Sequence, residues 1–135
     1  MSEILSFTEI YDYDTLKIGI TVPTKLFFGE NFVRLEAKVD TGAENCIFER
    51  THAERLNIDV ESGDLIIFNT AAGNFAAYGH ELTLSVLGIE TYAKVFFAKE
   101  ESFTRNVLGR QGWLDRVKLG LIDYEGKLLL SAYDK

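Results

Sequence analysis

The side chains able to do chemistry are few and well separated along the chain. A carboxylate, a hydroxyl and a glycine stand together at Asp40-Thr41-Gly42, a single thiol at Cys46, two imidazoles at His52 and His80, and two tyrosine–aspartate pairs in Tyr11–Asp14. A structural zinc site needs about four clustered N, S or O ligands. One Cys and two His, with no HExxH run, do not supply them. A thiol nucleophile would need Cys46 beside a histidine. Cys46 instead opens the apolar run Cys46-Ile47-Phe48 and reads as a buried small hydrophobe. There is no GxSxG elbow and no phosphate-cradling glycine loop. His52 and His80 read as polar surface groups, and Tyr11–Asp14 as a solvated patch rather than a catalytic pair.

Asp40-Thr41-Gly42 differs in its context. The preceding residues alternate, with Leu35, Ala37 and Val39 on one side and Arg34, Glu36 and Lys38 on the other. That is the period of a half-buried strand. Each of the next three residues then has a physical use. A carboxylate at a strand end can be aimed into a cleft, a hydroxyl can satisfy a buried polar neighbour, and glycine permits a tight bend and close backbone approach. Apolar chain on both sides would dry the carboxylate, and desolvating a lone carboxylate is unfavourable.

The elements that must hold this run are mostly strands. Leu16–Pro23 alternates Leu16, Ile18, Ile20 and Val22, and Pro23 is expected to end its ladder. With the turn-like Phe28-Gly29-Glu30-Asn31 and the strand before Asp40, it suggests a hairpin. Glu49–Ile58 carries a helical hint, with Arg50 and Glu54 spaced i,i+4. Asp64–Gly88 reads as a hairpin whose light tip is Ala71-Ala72-Gly73-Asn74. Glu90–Ala98 is a further strand, Gly109–Gly120 a second helical candidate, and Leu121–Tyr133 a closing hairpin around Tyr124-Glu125-Gly126. The class is mainly β with one or two short helices. Residues 1–14 form an arm or extension ahead of a single domain over 15–135. It is either packed on a partner or frayed.

Bulk properties exclude several function classes. At 135 residues the chain is one domain's worth. Its net charge of −7, with no Lys/Arg cluster, argues against a nucleic-acid partner. One cysteine precludes an internal disulfide, which fits a reducing compartment. The acidic N-terminus has no basic n-region or long apolar core, and no apolar run approaches the ~20 residues of a membrane span. The expectation is a soluble, cytoplasmic protein with no membrane partner.

Three segments, in order, resemble the retropepsin-like aspartic proteases, in a free-standing single-domain form of cellular or bacterial type. They are the apolar-then-acid Ala37–Ala43 (AKVDTGA), the small-residue hairpin Asn69–Leu84, similar to the family's flap, and Asn106–Leu121 (NVLGRQGWLDRVKLGL), similar to its apolar-apolar-Gly-Arg segment and short helix. The fold implied is a small closed barrel. The resemblance implies Asp40 as general acid/base, Thr41 bracing the active-site loops, Gly42 leaving its backbone open to substrate, and Ala43 completing the loop. It also implies an ion pair between Glu44 and Arg110, although Glu44 is one methylene longer than the family's usual aspartate. Ala71, Ala72, Gly73 and Asn74 would close over an extended peptide or protein substrate. No metal or organic cofactor is implied.

Aspartic proteolysis needs two carboxylates about one water, sharing a proton because like charges at about 3 Å cannot both ionise. The chain carries one Asp-Thr-Gly, so the mechanism requires a C2 homodimer with Asp40 from each copy on the axis. The expected function is thus an aspartic endopeptidase, a hydrolase. One rival keeps the fold without the chemistry, as a catalytically silent dimeric peptide-binding or assembly module. Another is an unrelated small β domain with a chance Asp-Thr-Gly. Ala43 offers no hydroxyl to the ionised pair, so Ala43→Ser is expected to move the pH–rate profile of peptide cleavage to more acidic values. An unmoved profile contradicts this.

Overall fold

The computed structural model describes residues 1–135. Ten strands and one short helix form the chain. Strand β1 is Glu9–Asp12, β2 Thr21–Phe28, β3 Asn31–Val39 and β4 Ile47–Phe48. Helix α1 is Arg50–Arg55. Strands β5 (Asp64–Thr70), β6 (Gly73–Val86), β7 (Ile89–Ala98), β8 (Val107–Leu108), β9 (Val117–Ile122) and β10 (Lys127–Ala132) follow. No helix is long and apolar enough to cross a membrane.

The larger sheet runs in the order β2-β3-β8-β4-β7-β6-β5, and β2 also pairs with β6 through Thr24–Phe27 against Thr83–Val86. Six strands therefore close on themselves in a ring, and β5 hangs from its edge. This mainly β ring with one short helix is the expected fold class. The ring closes because β6 is long enough for two partners. Its first half pairs with β5 and its second half with β2, while β7 runs along most of its length. Alternating residues of β2 and β6, among them Val22, Leu26, Leu82, Leu84 and Val86, face one core with Phe48, Phe97, Leu108 and Trp113.

The chain ends make a separate three-stranded sheet, β1-β10-β9, all antiparallel. Leu128 and Leu130 on its inner face join the same core. Residues 9–12 of the arm thus pair within their own chain. Tyr13 is buried, and its hydroxyl donates to the Asp123 carboxylate at 2.6 Å. That bond is the main cause of a phenol pKa pushed up to about 12. The expected solvated patch at Tyr11–Asp14 is therefore half right: Asp12 and Asp14 face water, but Tyr13 is core and Tyr11 packs against it.

Three further expectations need correction. The strand read over Leu16–Pro23 starts only at Thr21 and continues past Pro23 to Phe28. Leu16 and Ile18 are 93% and 98% exposed in the turns that carry the chain from one sheet to the other, where Gly19 takes a φ of +80°. Pro23 is tolerated because it pairs only with β3, one residue outside the β6 ladder. The second helical candidate, Gly109–Gly120, shrinks to the 3-10 turn Leu114–Arg116. Gly112 bends at a φ of +99° and Val117 begins β9. Finally, His52 is not a surface group. Together with Ala53 and Leu56 it forms the buried face of α1, and it is only 8% exposed. The other hairpins fall as expected, with Gly29 and Gly126 in left-handed turns.

Strand β8 lies between β3 and β4, parallel to the first and antiparallel to the second. Gly109, just after it, packs directly on the segment joining those strands. A Cβ there would stand 2.2 Å from the Asn45 carbonyl oxygen and 2.8 Å from that of Ala43. Backbone cannot yield as a flexible side chain can, so Gly109→Ala is expected to lower stability by about 1–3 kcal/mol or more, measured as a fall in urea midpoint. An unchanged midpoint contradicts the packing.

Burial makes a second expectation. Neither ring nitrogen of His52 has a hydrogen-bond partner, the nearest being Glu49 Oε2 at 3.4 Å, and desolvation lowers its pKa from the ordinary 6.5. The unfolded chain therefore takes up this proton first. Stability is whole above about pH 6.5, falls as pH drops through the unfolded value, and levels off below the folded one. His52→Leu should lose less of its urea midpoint than the wild type between pH 7.5 and pH 5.5. Equal losses would show that the imidazole does not carry the slope.

Candidate active site

Asp40 is the first residue after β3. Its N–H donates to the Leu108 carbonyl of β8 at 3.0 Å, which pins the aspartate to the centre of the ring. Its carbonyl accepts the Ala43 N–H at 3.1 Å, and its Oδ1 accepts the Gly42 N–H at 3.0 Å. Asp40-Thr41-Gly42-Ala43 is thus a tight turn folded around the carboxylate. An aspartate that accepts a backbone N–H two residues on is a common way to build such a turn. The far side is tied to the segment after β8: Arg110 N–H donates to the Ala43 carbonyl at 2.8 Å, and Gln111 N–H to that of Glu44 at 2.9 Å. Asn45 and Gln111 form an isolated parallel bridge just beyond.

The carboxylate is not dried by its own chain. Asp40 is half-buried, while Thr41 and Gly42 are exposed. The flanking apolar residues explain this, because Ala37, Cys46 and Phe48 turn inward to the core and leave the turn on the surface. Thr41 makes no hydrogen bond within the chain. Glu44 and Arg110 come together only loosely, with Arg110 Nη1 3.9 Å from Glu44 Oε1 and the side chains 63% and 68% exposed. Such an ion pair contributes little in water. The loop is held by backbone hydrogen bonds instead.

Cys46 is fully buried behind the turn and receives the Gly109 N–H at 3.4 Å. Burial pushes its thiol up to about 11, so it stays protonated at neutral pH and is no nucleophile. His80 is half-buried and its Nε2 lies 2.9 Å from the Val60 carbonyl oxygen.

The β5–β6 hairpin turns through Ala71-Ala72. Gly73 and Asn74, expected in the tip, already belong to β6 and pair with Thr70 and Asn69. All four are exposed, and none bonds to the Asp40 turn. The hairpin is stiffened from beneath by aromatic rings: Phe68 stacks on Phe75 at 5.2 Å and meets Phe96 edge-on at 5.7 Å. Phe75 also meets Phe103 at 4.8 Å. Between the tip and the loop over 98–105 lies a groove of about 820 Å³ whose walls include Phe75, Phe103, Lys99 and Arg105. That loop runs straight into β8, beside Asp40. Phe103 is a half-buried anchor, and its signal in the sequence is a lone aromatic in the polar run Glu100–Asn106. A smaller concavity of about 460 Å³, lined by Pro23–Lys25 and Arg34–Glu36, includes no residue of the turn.

A search of curated proteins finds no match to this sequence. Solved structures do match in fold. A retropepsin-like aspartic protease from Rickettsia conorii aligns with a TM-score of 0.64 at 23% identity, covering 91% of this chain and 97% of that one. EIAV protease, in its complex with the inhibitor HBY-793, aligns with a TM-score of 0.54 at 20% identity, covering 70% of this chain and 85% of that one. The family described as aspartyl protease matches residues 22–111, which span β2 through β8 and the Asp40 turn. With the ring of strands and that turn, the match makes this chain a member of the aspartyl protease family with a retropepsin-like fold.

Proposed function

We propose that the chain is an aspartic endopeptidase that works as a homodimer, each copy lending one Asp40. The observation that carries the reading is a single Asp-Thr-Gly turn, rigidly anchored behind and open in front, on a chain of this family. One half-buried carboxylate cannot act as both base and acid. Two, facing each other across a twofold axis, can. One is ionised and takes a proton from water, and the other is protonated and donates to the scissile carbonyl. The desolvation that one chain does not supply would come from the second copy and the bound peptide. Thr41, free of partners in its own chain, would brace the opposite loop, and Gly42 would present its backbone to the substrate.

The peptide would lie extended, its main chain paired with the hairpin over 71–74 and its side chains in the groove beside Phe75 and Phe103. Glu44 and Arg110 flank the turn in a supporting role. Residues 15–135 form the protease domain in this reading, with residues 1–14 as an extension whose β1 strand caps the terminal sheet.

Asp40→Asn is expected to reduce cleavage of a peptide library at mildly acid pH on the order of 10³-fold while sedimentation still shows a dimer. A statine-type mimic of the tetrahedral intermediate should bind the wild type tightly. A strict monomer at high concentration would remove the mechanism. A dimer that binds peptides but neither cleaves them nor prefers the mimic would be a peptide-binding or assembly module.

A further inference from the structure

The turn that carries Asp40 has two feet, β3 on one side and β4 on the other, and both stand against β8. Asn106, the residue before β8, grips both. Its carbonyl accepts the N–H of Lys38, two residues before Asp40, at 2.8 Å. Its side-chain oxygen accepts the N–H of Glu49, the residue after β4, at 3.1 Å, and its amide NH2 donates to Glu49 Oε2 at 2.8 Å. These last two bonds close a ring between residues 57 apart in sequence.

Glu49 stands at the N-cap position of α1, where a short polar side chain would ordinarily accept a helix N–H. It makes no such bond. Its carboxylate is turned to Asn106 instead. A primary amide can accept from a backbone N–H and donate to a carboxylate at once, and Asn106 does both. The bond to the carboxylate is charge-assisted, and Glu49 is only 28% exposed, so it is screened less than a surface pair. His52 stands 3.4 Å from the carboxylate, and Arg55 in turn acts on His52.

We propose that Asn106 and Glu49 form a positioning clamp that fixes the spacing of the two feet and so holds Asp40 and Gly42 in working geometry. Neither residue touches substrate. The inference rests on the endopeptidase reading for its kinetic consequence but not for its structural one.

The test compares Asn106→Leu, Asn106→Asp, and Asn106→Asp combined with Glu49→Gln. Steady-state cleavage of a peptide found in the library screen gives kcat and KM. Amide hydrogen exchange by NMR reports the Asp40, Ala43 and Arg110 N–H groups against core amides such as Leu82. Asn106→Leu and Asn106→Asp should lower kcat on the order of tenfold with KM little changed, as expected of a misplaced reacting group. The loop amides should exchange faster while Leu82 does not. In Asn106→Asp two carboxylates would meet, so one should take up a proton on acidification toward about pH 5 and donate again. The deficit relative to wild type should shrink there, which Asn106→Leu cannot do. The double variant reverses donor and acceptor and should recover most of the loss at neutral pH.

A double variant no better than Asn106→Asp, or loop and core amides accelerated alike, would overturn the clamp. If Asn106→Leu does not fold, Glu49→Ala carries the same exchange comparison. A wild type that cleaves nothing but shows selective loop exchange in the variants would keep the clamp and discard the endopeptidase reading.

Discussion

Two residues of strand, Val107 and Leu108, hold the centre of this molecule. Slipped between β3 and β4, they give the Asp40 N–H its acceptor, and the residues on either side bind Lys38, Ala43, Glu44 and Glu49. A turn folded round an acidic side chain would be mobile on an open surface. Here both of its flanks are fastened to one short rod. The rod in turn cannot move, because Leu108 is in the core and Gly109 lies within contact distance of the turn's own backbone. Backbone hydrogen bonds carry this work, while the nearby ion pair of Glu44 and Arg110 stays at the limit of contact. Backbone bonds do not weaken with salt as an exposed charge pair does.

Charge is used elsewhere for a different purpose. Arg50 joins Glu54 at 3.3 Å and both oxygens of Glu61 at 2.6 and 2.7 Å, and it also reaches the Lys99 carbonyl at 3.1 Å. The i,i+4 contact visible in the sequence is thus one arm of a fork that ties α1 to the chain before β5 and to the loop walling the groove. Its planar, multi-donor geometry suits arginine and not lysine.

What could be read from sequence was local. Alternation before Asp40, the break at Asp40-Thr41-Gly42, and the small residues at Ala71-Ala72 each sit within a few positions of their consequences, and each was legible. Ring closure between β2 and β6 was not, since nothing in Thr24–Phe27 names a partner near residue 85. Leu16 and Ile18 alternate like strand residues but lie where the chain must cross between sheets, and tertiary path overrode pattern. The burial of His52 is not legible because a helix of under two turns has too short a period to reveal which face is buried. In sequence Asn106 is only the first residue of the Asn106–Leu121 segment, ahead of an apolar pair. Its importance is set by Glu49, far away in sequence, and by a ring of hydrogen bonds that only the fold creates.

The sheet made of the two chain ends has a bearing on how the protein is born. Strand β1 is synthesised well before β10, its only neighbour, and Thr8 bonds to Ser131 across 123 residues. Until β10 emerges, β1 has no strand to pair with and the main core lacks Leu128 and Leu130. Contacts so distant in sequence are slow to form and arrive late. A nascent chain of this protein can fasten its acidic turn only once Gln111 has emerged, and it cannot complete the body beneath that turn before synthesis has passed residue 132.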